Sequence, residues 1–92
     1  MINYQMTYRG RVQGVDFRWG CYDIATHYDV SGFVENLPNG DVYLEVQGEQ
    51  DVVAEFLDKI SQGPTPYARI DHVDQKVGTV KNYTSFTIRR SW

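Results

Sequence analysis

The sequence predicts an α+β domain, an antiparallel sheet with two helices packed on one of its faces. Three observations carry that prediction. Segments with the two-residue period of a half-buried strand are interrupted by two segments whose apolar residues recur at helical spacing. Their order is β-α-β-β-α-β, with one more short strand at the end. The chain has 92 residues, enough for one core and too few for two.

The first strand is Ile2, Tyr4, Met6 and Tyr8 alternating with Asn3, Gln5, Thr7 and Arg9. Gly10 and Gly14 then bracket a turn that runs to Asp16. Phe17, Cys21, Ile24, Ala25 and Tyr28 form a helical stripe, and Ser31-Gly32 stops the helix near Asp29. Gly32 to Asn36 reads as a short second strand, and Leu37-Pro38-Asn39-Gly40 as the turn of a hairpin. Asp41 to Gln47 is the third strand, with Val42, Leu44 and Val46 on one face and Tyr43, Glu45 and Gln47 on the other. Val52, Val53, Phe56, Leu57 and Ile60 make the second helix, with Asp51 placed to cap it and Gly63-Pro64 to end it. Arg69 to Val77 is a fourth strand of imperfect pattern, and Ser85 to Arg90 a last short one. Two helices on one face of an antiparallel sheet bury all these faces economically, in the ferredoxin-like split βαβ arrangement. With no repeat, low-complexity run or linker, residues 1–92 are expected to form a single domain.

Composition narrows the function. Hydrophobic residues at 41% and charged residues at 23% argue against disorder. A mean hydropathy of -0.49 without a long apolar run argues against a membrane span. The first residues have neither the basic nor the apolar region of a signal peptide, and the single cysteine, Cys21, cannot form an internal disulfide. A cytoplasmic protein is expected. The net charge of -3 weighs against a nucleic-acid partner. Arg9, Arg11 and Arg18 lie close together, whereas Trp19 to Asp58 contains no Lys or Arg and nine acids. One cationic spot on an acidic body suits a single small anion better than a polyanion.

The segment Gly10-Arg11-Val12-Gln13-Gly14-Val15-Asp16-Phe17-Arg18 joins a strand to the first turn of a helix. Backbone N–H groups at such a junction have no intrahelical partner, and the helix dipole adds positive potential there. A glycine lets the backbone curl so that several N–H groups converge on one spot. An arginine in the first turn adds a fork matched to phosphate oxygens. The spacing fits neither a Walker loop nor a dinucleotide fingerprint. An anion site and an ordinary glycine turn beside a surface arginine both remain open on these grounds.

That segment resembles the N-terminal signature of the acylphosphatase family. Gly32-Phe33-Val34-Glu35-Asn36-Leu37-Pro38-Asn39-Gly40-Asp41-Val42, continuing to Gly48, resembles its second signature. The resemblance covers the whole chain. It implies hydrolysis of a carboxylic–phosphoric mixed anhydride to a carboxylate and inorganic phosphate. It also implies that Arg18 and the amides of Gln13, Gly14, Val15, Asp16, Phe17 and Arg18 hold the phosphoryl group, and that Asn36 orients the attacking water. No metal and no cofactor are implied, and the partner is a small acyl phosphate met by a monomer.

Two positions depart from the family pattern. Asp16 puts a carboxylate inside the phosphate loop, where it repels phosphate unless it turns outward or pairs with a base such as Arg11. Glu35 stands where a basic, small or amide residue is commoner, and strand alternation aims it away from Asn36. Other candidates fail on chemistry. A thiol phosphatase needs an arginine six residues after its cysteine, and position 27 is His27, so Cys21 reads as a core residue. His27 and His72 have no partner at ligand spacing. Asn82-Tyr83-Thr84 fits a glycosylation acceptor, a chance match in a chain without a secretion signal. Alternatives with the same element order are an RNA-binding module and a non-catalytic phosphate-binding or small-ligand domain. The third strand carries one aromatic and two acids where RNA-binding strands are basic and aromatic. The seven tyrosines and two tryptophans read as core and sheet packing.

Overall fold

A computed structural model of the chain describes residues 1–90. The elements are β1 (Ile2–Arg11), α1 (Phe17–Ala25), β2 (Ser31–Asn36), β3 (Val42–Gly48), α2 (Gln50–Ser61), β4 (Arg69–Gly78) and β5 (Phe86–Arg89). The strands form one sheet in the order β4-β1-β3-β2-β5. The pairs β1–β3, β1–β4 and β2–β3 are antiparallel, but β5 runs parallel to β2, from Gly32 opposite Phe86 to Glu35 opposite Arg89. The sheet is therefore mixed, not antiparallel throughout as the sequence suggested. The short 79–85 connection reverses the chain after β4, and the direction opposite to β4 is that of β2.

Residues Met6, Tyr8, Val34, Val42, Leu44 and Val46 of the sheet meet Cys21, Ala25, Val53, Phe56 and Ile60 of the helices in one core. Each such large apolar side chain contributes roughly 1.5–3 kcal/mol by leaving water. Phe56 is the hub between layers, with Phe86 at 5.6 Å and Tyr28 at 6.2 Å between ring centroids. Cys21 is fully buried, and burial pushes its thiol up, away from the reactive thiolate.

Four local expectations change, the first being that α1 ends at Ala25 instead of near Asp29. β1 continues through Gly10 and Arg11, because a bulge between Arg9 and Gly10 absorbs the register shift against β4 and Gly10 takes φ 132°. β3 reaches Gly48, so Glu49 occupies the N-cap of α2, and Asp51 instead accepts a bond from the Val52 amide inside the first turn. Packing also does not account for every aromatic residue. Trp19 is 62% and Tyr67 72% exposed, and Trp92 lies outside the described residues.

The 79–85 connection crosses the helix-free face of the sheet and makes Glu45 a buried anchor. Its carboxylate accepts from Lys81 Nζ at 2.6 Å, Tyr83 hydroxyl at 2.9 Å, Tyr43 hydroxyl at 3.0 Å and Asn3 Nδ2 at 3.2 Å. Gln47 adds two bonds to the Lys81 backbone, and Tyr83 packs edge-on against Phe33. Burial alone would raise the Glu45 carboxyl, but these hydrogen bonds outweigh it and hold the group below its ordinary 4.5. Because the folded value is the lower one, this stabilisation is complete above pH 4.5 and is lost as acid titrates the folded carboxylate. Glu45→Gln is expected to destabilise the fold at pH 7 by about 1–3 kcal/mol, the cost of disrupting buried hydrogen bonds. Denaturant titrations should find the gap to wild type closing below about pH 4. A gap unchanged between pH 7 and pH 3 would assign the loss to packing alone.

Candidate active site

β1 and β2 flank β3 and both run against it, so their C-terminal ends lie at the same end of the sheet. Register makes this concrete: Tyr8 and Asn36 both stand opposite Val42. The loop that leaves β1 and the last residue of β2 therefore face one another. Between them is a cleft of about 120 Å³ lined by Val12, Gln13, Gly14, Asp16, Phe17, Arg18, Trp19 and Asn36. Six of the seven residues expected at the site thus share one cavity. Val15 does not line it; its side chain is buried and its carbonyl accepts the Thr65 hydroxyl at 2.7 Å.

The loop is held from below. Val12, Val15 and Phe17 are buried, and the Phe17 ring packs on Tyr8 at 5.4 Å. Gly14 (φ 75°) and Asp16 (φ 60°) are both left-handed, which curls the segment between them. That backbone explains residue 16. A left-handed position costs most side chains roughly 1–2 kcal/mol, whereas aspartate tolerates it. Asp16 is exposed, lines the cleft and is absent from the ion pairs found among the described residues, as is Arg11.

Asp16 is also the N-cap of α1, and its side chain caps nothing. The first intrahelical bond is Gly20 N–H to the Asp16 carbonyl at 2.9 Å, so the amides of Phe17, Arg18 and Trp19 have no partner within the helix. The first turn carries no acid, and the positive end of the dipole faces the cleft unopposed by it. Among the described residues Arg18, half-buried in that turn, is the only cation lining the cavity. Arg9 and Arg11 do not line the cleft with Arg18; Arg9 is drawn to Asp41 at 3.2 Å.

Gln13 has a function the sequence did not reveal. Its Nε2 donates to the carbonyls of Leu37 and Asp41, each at 2.8 Å. This clamp ties the loop to the β2–β3 turn and so fixes Asn36 relative to Arg18. The turn is itself braced: Gly40 N–H bonds the Leu37 carbonyl at 3.2 Å, and the Asp41 carboxylate takes Arg9 and Asn39. A glutamine facing a hairpin turn was readable as a donor, but its acceptors, 24 and 28 residues away, were not. Thr65 was missed for the same reason, its acceptor Val15 lying 50 residues away. Glu35 sits on β2 between Tyr43 and Arg89 and does not line the cleft.

Among the described residues, no three His, Cys, Asp or Glu side chains gather as metal ligands. His27 is exposed after α1, and His72 lies on β4 against Asp74 at 3.0 Å. No described helix is long and apolar enough to cross a membrane. Chemically, the cleft offers amides without an intrahelical partner, the Arg18 guanidinium and the Asn36 carboxamide, a set suited to a phosphoryl group and a water, beside the Asp16 carboxylate and the Gln13 carboxamide held by Leu37 and Asp41.

Comparison with known proteins points the same way. A family profile described as acylphosphatase matches residues 4–88. The acylphosphatase of Lacticaseibacillus paracasei is 40% identical over 85 residues, spanning 91% of each chain. The structure of an acylphosphatase from Coxiella burnetii superposes with a TM-score of 0.88 at 32% identity, over 96% of this chain and 92% of that one. The acylphosphatase from Bacillus subtilis shares the fold with a TM-score of 0.91 at 24% identity, over 97% and 99% of the two chains.

Proposed function

The chain belongs to the acylphosphatase family and hydrolyses the carboxyl–phosphate bond of acyl phosphates, and we propose that it does so in the cleft between α1 and Asn36. The observation that carries this reading is the uncapped N-terminus of α1, with Arg18 in its first turn and Asn36 across the same cavity. Arg18 and the amides of Gln13, Gly14, Asp16, Phe17 and Arg18 hold the phosphoryl oxygens, supplying the charge stabilisation that a loose phosphoryl-transfer transition state needs. Asn36 places the attacking water by hydrogen bonding to it through the carboxamide, and takes no proton from it. The water oxygen bonds phosphorus as the P–O bond to the acyl group breaks. The leaving carboxylate, whose acid has a pKa of about 4, needs no general acid. One water proton stays on the attacking oxygen and the other goes to a phosphoryl oxygen of the substrate, giving a carboxylate and dihydrogen phosphate.

Phosphate release from acetyl phosphate in the presence of a chelator tests this reading. Turnover that survives the chelator and disappears in both the Arg18 and Asn36 variants is expected. Turnover that survives in both variants would place the chemistry elsewhere. We assign no role to RNA: the helix-free face carries Glu45 and is crossed by residues 79–85. We further read the chain as one domain, a monomer whose cleft is built from a single copy, acting in the cytoplasm. The lone, buried Cys21 supports that compartment.

Asp16 limits affinity in this scheme. Asp16→Asn keeps a residue that tolerates the left-handed backbone and removes the charge. It is expected to lower KM for acetyl phosphate by roughly two- to fivefold, with the difference shrinking as salt screens the repulsion. An unchanged KM at low ionic strength would show that the carboxylate does not act on the bound phosphoryl group.

A further inference from the structure

We propose that Trp19 is the acyl-side specificity determinant of this site, an aromatic platform that favours substrates with an aromatic or bulky apolar acyl group. The inference rests on the phosphoryl site proposed above. A cleft of about 120 Å³ has room for about four waters at their liquid volume. That accommodates a phosphoryl group with its attacking water, so the acyl group extends to the rim. The rim offers one large exposed apolar surface. Val12 and Phe17 are buried beneath the loop, whereas Trp19 lines the cavity with 62% of its surface open.

The indole is not a loose side chain. Tyr22, one helical turn on, packs against it edge-to-face at 6.0 Å between ring centroids, the i,i+3 contact that steadies a ring on a helix surface. A steadied aromatic face gives contact area at low entropic cost. Charge excludes the other main substrate type. Arg18, the only cation among the described residues that line the cleft, is committed to the phosphoryl group, so a second carboxylate on the acyl group would meet Asp16 without a counter-ion.

Steady-state kinetics of wild type, Trp19→Ala and Trp19→Phe with benzoyl phosphate and acetyl phosphate test the proposal. Trp19→Ala is expected to lower kcat/KM for benzoyl phosphate by roughly five- to twentyfold, mostly through KM, the scale of one aromatic stacking contact. Acetyl phosphate should change less than twofold, and Trp19→Phe should retain most of the benzoyl preference. Equal losses on the two substrates, or no loss on either, would overturn the role of Trp19 while leaving the hydrolytic site intact. Wild-type protein inactive on both substrates would overturn the phosphoryl site and this role together. As a binding readout, a Trp92→Phe background leaves Trp19 as the only tryptophan. Its fluorescence should be quenched saturably by a benzoyl phosphonate and far less by an acetyl phosphonate; equal responses would count against stacking.

Discussion

Replacing Arg18 with alanine is expected to lower kcat/KM for acyl phosphates by a factor on the order of 10³ or more, the scale seen for arginines that stabilise a transferring phosphoryl group. That factor corresponds to about 4 kcal/mol of transition-state stabilisation. The size follows from isolation. Among the described residues Arg18 is the only cation lining the cleft, and Arg9 is held by Asp41. Arg18→Lys should recover only part of the loss, because an ammonium keeps the charge without the planar fork. Initial-rate measurements with acetyl phosphate decide the matter, with thermal unfolding as the control for folding. Activity within tenfold of wild type in Arg18→Ala would remove this residue from the mechanism.

Asn36→Ala is expected to act on a different parameter. Loss of water placement should lower kcat by roughly 10²–10³, within the range that positioning contributes, while KM and the affinity for inorganic phosphate stay within about threefold. The backbone of Asn36 remains paired with Val42 in either case, so truncation leaves the strand register in place. A rise in KM with kcat preserved would make Asn36 a ligand of the phosphoryl group and leave the water to another residue. The contrast between the two variants, one losing binding and turnover and the other turnover alone, separates charge stabilisation from water placement.

Much of this arrangement is legible in the sequence because it is local. The alternation of Ile2, Tyr4, Met6 and Tyr8 marks β1, and Gly14 and Arg18 mark a strand–helix junction suited to an anion. The features that were not legible depend on distant partners. Glu45 alternates as a solvent-facing residue of β3 and is buried only because a connection 36 residues away folds Lys81 over it. The parallel β2–β5 pair depends on where that same connection comes to rest. β2 shows little alternation because helices cover one of its faces while Phe33, on the other, packs on Tyr43 and Tyr83. β4 alternates imperfectly because it is an edge strand exposed along most of its length.

At the site the same division holds. Arg18 and Asn36 could be singled out by type and position, but nothing local says that one cleft joins them. That follows from strand register and from Gln13 reaching Leu37 and Asp41. Asp16 looked like a misplaced charge beside a phosphate loop, and its left-handed backbone supplies a conformational reason for it. Trp19 looked like packing because a tryptophan in an amphipathic helix usually is, yet it falls outside the buried stripe of Phe17, Cys21 and Ala25.

The most direct test is a titration with inorganic phosphate followed by amide ¹H–¹⁵N shifts. Phosphate bound at the start of α1 should move the amides of Gly14 to Arg18 saturably, together with the Asn36 side-chain amide, and this response should be lost in Arg18→Ala. Saturable shifts centred on another surface, or loop amides unmoved at phosphate concentrations that inhibit hydrolysis, would contradict a phosphoryl site in this cleft.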